Sequence, residues 1–214
     1  MIDSVDDAPQ DATDDLAFNQ PGATLRQRSS EIRASHPVLV PLTKLFGIHT
    51  EERAWRRGAA GEEEVATRLN KLGDHWRVIH GVPVGDNGTD IDHVVIGPAG
   101  VFTLNTKNHL GKKVTVYEHA VYVSGMKQPY LAKSRAEGRR ASRLLTIACG
   151  FDVVVSPVLV VMASDLIKKG TPRDVAVIGR RKIVDWLTHQ PTILTADHVE
   201  AIYIVARQRT TWTG

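Results

Sequence analysis

The stretch IDHVVIGPAGVFTLNTKNH, residues 91–109, reads as two short strands joined by a tight turn. Apolar residues fill most of both arms, and GPAG (97–100) supplies the Gly and Pro of a chain reversal. Three polar residues interrupt the pattern: Asp92, Asn105 and Lys107. Side chains alternate faces along a strand, so Asp90, Asp92, Val94 and Ile96 share one side of the first arm. Val101, Thr103, Asn105 and Lys107 share one side of the second. The turn brings that arm back beside the first, which predicts that Asp92, Asn105 and Lys107 meet.

Outward from this hairpin the chain alternates between helical and strand patterns. In EERAWRRGAAGEEEVATRLNKL (51–72), Trp55, Gly58, Glu62, Val65, Leu69 and Leu72 recur at three- and four-residue steps, which is one face of a helix extending to about 73. Glu62 interrupts that stripe. It is expected either to point at the sheet or to pair with an arginine such as Arg57. WRVIHGVPV (76–84) alternates as a strand, and GDNGT (85–89) is a turn that Asp90 can help to shape. KVTVYEHAVYVSG (113–125) suggests a further strand or hairpin, and a long helix is predicted over 129–148. VVVSPVLVVMA (153–163) is the continuous apolar run of a strand buried on both faces, and VAVIG (175–179) is another strand. IVDWLTHQ and ADHVEAIYIVARQ, the latter capped by Thr195, close the chain as helices. The fold class is therefore α/β, a mixed sheet flanked by helices, with a helix crossing over before the buried run.

Charge divides the chain unevenly. Its 214 residues carry 27 Lys and Arg against 24 Asp and Glu, yet residues 1–20 contain six Asp and no base. The expected organisation is a disordered acidic tail over 1–22, a docking segment over 23–50 and one domain over 51–208. A basic body suits a polyanionic partner, with a solubilising tail as the plain alternative. The single cysteine, Cys149, excludes an internal disulfide and a cysteine zinc cage. PVLVPLTKLFGI (37–48) is too short and too interrupted to span a bilayer, and the acidic start lacks the pattern of a secretory signal, so a cytoplasmic protein without a membrane partner is expected. Neither a phosphate-binding GxxxxGK[ST] loop nor a GxSxG elbow occurs.

Carboxylates, an amide oxygen and a lysine gathered at one end of a sheet suit phosphodiester hydrolysis. Carboxylates can hold Mg²⁺ or Mn²⁺, and an adjacent ammonium steadies charge that develops in the transition state. Within the predicted long helix, Lys133, Arg135, Arg139, Arg140 and Arg143 face only Glu137 as an opposing charge. That row is either a solvated flank or a surface that tracks nucleic-acid phosphates.

An acid on an early helix, then an Asp, then acid-x-Lys on the next strand is the PD-(D/E)XK nuclease pattern, which Glu62, Asp92 and the Asn105-x-Lys107 step resemble. Gly58, Gly61 and Glu62, the block IDHVVIGPAGVF (91–102) and TKN (106–108) are similar to the nuclease-related domain (NERD) family over about residues 55–165. The resemblance implies a restriction-endonuclease-like fold, with Glu62, Asp92 and Lys107 at the family's active-site positions and DNA as the partner. Asn105 departs from it, standing where the family has Glu or Asp; an amide oxygen can ligate Mg²⁺ but brings no charge. Asp90, on the same strand face as Asp92, is a candidate for the missing carboxylate. Two functions follow: a Mg²⁺- or Mn²⁺-dependent nuclease with Asp92, Asn105 and Glu62 as ligands, or a catalytically degenerate nucleic-acid-binding module of the same fold.

Overall fold

The computed structural model describes residues 14–22, 26, 48–84 and 89–213. At its centre is a seven-stranded mixed sheet. Strands β1 (Arg77–Val84), β2 (Thr89–Gly97) and β3 (Gly100–Val116) follow one another antiparallel. The short β4 (Val121–Val123) and β5 (Met126–Gln128) extend the sheet from the far end of β3. On its other edge β3 pairs in parallel with β6 (Val155–Lys168), which pairs in parallel with β7 (Ala176–Gly179). Helix α2 (Tyr130–Cys149) makes the crossover that a parallel β3–β6 pair requires.

Two helical layers cover the sheet. Helices α1 (Ile48–Leu69) and α3 (Ile183–Thr188) lie on one face, where Val65, Leu69, Ile183 and Leu187 pack on Val95, Phe102, Leu104 and Val158. On the other face are α2, α4 (Ala196–Ala206) and α5 (Thr210–Thr213), whose Leu145, Ile202 and Trp212 pack on Ile79, Val94, Ile96 and Val101. Odd and even positions of the hairpin thus enter different cores, as their alternation predicts. The hairpin turns between Gly97 and Gly100, which are paired across it. Thr195 caps α4 by accepting the His198 amide.

Several elements differ from expectation. The second arm of the hairpin runs on to Val116, because a register shift between His109 and Lys113 absorbs its irregular middle while β6 accompanies it on both sides of the break. Helix α1 ends at Leu69 rather than near 73. The acidic segment is not disordered over 14–22. Leu16 is fully buried in the α2/α4 core, and Asp15 accepts a 2.9 Å hydrogen bond from Arg207 Nε within an ion pair. One large apolar residue beside acids with arginine partners is enough to anchor a segment whose composition alone reads as disordered. The fold also continues past 208, ending on the buried Trp212. Residues 1–13, most of the 23–50 segment and residues 85–88, where a turn is expected, lie outside the described residues.

The anchor makes a first prediction. Leu16→Ala leaves a hole in the core beside β1 and should cost about 2–4 kcal/mol, lowering the melting temperature by roughly 5–10 °C in calorimetry. A change within about 1 °C would show that the segment merely rests on the surface.

Candidate active site

The sheet forks at the hairpin. Strand β2 is paired with β3 from His93 to Gly97, and the same edge of β3 is next paired at Val114, by β4. Between these points Asp92 fills the gap, its carboxylate accepting the Thr106 amide at 2.5 Å in place of a partner strand. Burial raises the pKa of this carboxylate, and Asp90 adds to the rise, while the Lys107 charge and the Thr106 amide oppose it.

Glu62 arrives from α1. Helix and strand approach closely because Gly61 has no side chain: a Cβ there would sit 3.2 Å from Asn108 Cβ and 3.4 Å from Thr106 Cγ2. The Glu62 carboxyl is pushed up to about 8, first by burial and then by the Asp92 charge, with the Gly22 amide and Lys107 pulling the other way. The N-terminal segment therefore reaches the site, where Gly22 donates to Glu62 and Arg26 pairs with the neighbouring Glu63.

Asn105 and Lys107 follow on β3. The Asn105 amide nitrogen donates to Glu137 Oε2 of α2 at 3.0 Å, while Asn105 Oδ1 and Glu137 Oε1 are both buried and have no hydrogen-bond partner among the described residues. Burial and the Asp92 charge push the Glu137 carboxyl up to about 7, against the Asn105 hydrogen bond and Lys107. Lys107 Nζ lies 5.6 Å from the centre of the Tyr130 ring, and Tyr130 Oη is 2.9 Å from His109 Nε2. His93 is fully buried against His80, as a core histidine.

At the fork Glu62, Asp92 and Lys107 act on one another's charge, Asp92 and Lys107 also act on Glu137, and Asn105 joins the group through its hydrogen bond to Glu137. Asp90 is near enough to raise both Glu62 and Asp92, but no hydrogen bond ties it to Asn105 among the described residues. The basic row of α2 divides. Lys133, Arg139 and Arg143 are exposed, Arg140 is half-buried, and Arg135 is held by Asp174 at 2.7 Å. Glu137 is not the row's counter-charge; it faces the sheet. Its spacing foretells this, since Ser134, Ala141 and Leu144, at three, four and seven residues from it, belong to the buried stripe.

Among the described residues, no three His, Cys, Asp or Glu side chains stand together as a ready metal cage. The donor chemistry nevertheless fits a hard divalent cation, because Asn105 Oδ1 and Glu137 Oε1 are buried oxygens lacking a donor among the described residues and the Asp92 charge acts on Glu137.

A seven-stranded mixed sheet between helical layers is the restriction-endonuclease-like architecture. The chain belongs to the nuclease-related domain (NERD) family, a PD-(D/E)XK-like nuclease family, whose model matches residues 57–162. That span contains all five residues at the fork. An uncharacterized protein of Bacillus anthracis is 42% identical over 79 residues, a match that spans 35% of this chain and 35% of that protein. No solved structure matches the chain significantly. No described helix is long and apolar enough to cross a membrane.

Proposed function

We propose that the chain is a divalent-metal-dependent phosphodiester hydrolase acting on DNA, with Glu62, Asp92, Asn105 and Lys107 as its active site. The observation that carries the reading is the fork, where two carboxylates and an ammonium from three elements act on one another's charge. Mg²⁺ or Mn²⁺ held by Asp92, Asn105 Oδ1 and Glu62 would supply Lewis-acid polarisation of a phosphoryl oxygen and a water of lowered pKa. Asp92 is preorganised for this by the Thr106 amide, which fixes its carboxylate before any ligand arrives. The Lys107 charge acts on the same carboxylate, which supports a role in steadying the phosphoryl charge that grows in the transition state. Tyr130 and His109 support the approach to Lys107.

One observation favours a second reading. Asn105 contributes no charge where an acid is expected, and a site weakened in this way suits a module that binds nucleic acid without cutting it. Incubation of labelled duplex DNA with Mg²⁺, Mn²⁺ or EDTA separates the two. Cleavage that needs the metal supports the hydrolase, whereas metal-independent binding with no cleavage under any cation supports the binding module.

Both readings place DNA phosphates against the exposed side of α2. Replacing Lys133, Arg139 and Arg143 together by Ala should flatten the log–log dependence of DNA affinity on salt by roughly two to three units, since each phosphate contact contributes about 0.9. An unchanged slope in fluorescence-anisotropy titrations would reduce these residues to a solvated flank.

A further inference from the structure

We propose that Glu137 of α2 supplies the carboxylate that position 105 lacks, so that Asn105 and Glu137 together stand in for the missing strand acid beside Asp92 and Glu62. The inference rests on the hydrolase site proposed above and extends it by a residue from a different element.

The geometry is specific. Asn105 turns its amide nitrogen toward Glu137 Oε2, at 3.0 Å, and thereby joins the strand position to the helix carboxylate. The two oxygens left over, Asn105 Oδ1 and Glu137 Oε1, are buried and have no hydrogen-bond partner among the described residues. A buried carboxylate is costly unless it is paired, and five basic residues stand on its own helix. Among the described residues Glu137 forms an ion pair with none of them; Arg135 is engaged by Asp174 instead. A carboxylate withheld from available arginines and tied to a neutral amide is placed for a cation the chain does not itself supply.

Local packing holds it there. Gly138 lies so close to Pro157 of β6 that a Cβ would come within 3.1 Å of three atoms of the proline ring, so α2 is seated on the sheet one residue beyond Glu137. Asp90 is the rival source of the missing charge, but no hydrogen bond links it to Asn105 among the described residues.

The test is calorimetric titration of Mn²⁺ into the full chain and its variants, with metal-free circular dichroism to confirm folding. Glu137→Gln keeps an acceptor for Asn105 and removes only the charge, and it should weaken Mn²⁺ binding about 10–100-fold. The double variant Asn105→Asp with Glu137→Gln returns the carboxylate to the strand and should recover most of that loss. Parent-like affinity in Glu137→Gln overturns the inference. If Asp92→Asn loses Mn²⁺ in the same series, the hydrolase site survives that result; if Asp92→Asn also binds like the parent, the site reading falls with it. A parent protein that takes up no Mn²⁺ overturns both.

Discussion

Asp92→Asn should abolish divalent-cation binding and lower DNA cleavage by at least about 10³-fold. The substitution is nearly isosteric and retains an oxygen to accept the Thr106 amide, so the fork should keep its shape. What disappears is the buried carboxyl group contributed by β2 between α1 and β3. Lys107→Ala should behave differently. It removes a positive neighbour of both Asp92 and Glu62, so cation affinity should stay level or rise slightly. Turnover should nevertheless fall about 10²–10³-fold, because an ammonium that steadies developing charge contributes mainly to the transition state. Binding isotherms and single-turnover cleavage of a labelled duplex, taken on both variants, separate the two roles. Parallel losses in affinity and turnover for Lys107→Ala would make the lysine a structural residue, and parent-like cleavage by Asp92→Asn would remove the site from this fork.

The same contrast between shape and charge explains which features could be read in the sequence. Period-two alternation in 91–109 carried real information about faces, because each side of the hairpin packs on a different helical core and a slip of one residue would exchange them. The continuous run 153–163 was legible for the complementary reason: β6 has partners on both edges and helices on both faces. The N-terminal anchor was not legible, since its burial depends on Leu16 and on ion pairs to Arg207 and Arg209, which stand far along the chain. Nor was the extension of β3, where an exposed stretch at 110–113 breaks the alternation while parallel β6 restores the strand beyond it. Glu137 was legible in principle. Its helical spacing places it on the buried stripe, but five bases on the same helix offered an easier account of a lone acid. The neutral residue at 105 was the stronger clue, because a site that lacks a charge in one element invites a search of the elements packed against it.

Without metal, the protein should lose stability as pH rises from about 5 to 8.5, and Glu62 should account for a large share of the loss. Folded Glu62 keeps its proton until about pH 8, whereas the unfolded chain releases it near the ordinary value of 4.5. Between those limits the folded state binds more protons than the unfolded state, so each rise in pH favours unfolding. Glu137, pushed up to about 7, acts in the same direction. Asp15 acts in the opposite one: its hydrogen bonds to Arg207 lower its pKa, so its stabilising share is complete above the ordinary carboxylate range and disappears only in more acid solution, below this window. Glu62→Gln removes the titration while preserving size. The melting temperature of the parent minus that of the variant, measured in EDTA at constant ionic strength, should therefore fall by roughly 5–10 °C across the window, corresponding to roughly 3 kcal/mol. Mn²⁺ at pH 8 should restore the parent far more than the variant, because a bound cation favours the ionised carboxylates and displaces their protons. A difference that stays flat from pH 5 to 8.5 would mean that Glu62 is ionised throughout, and the charge conflict that supports the proposed cation site would be absent.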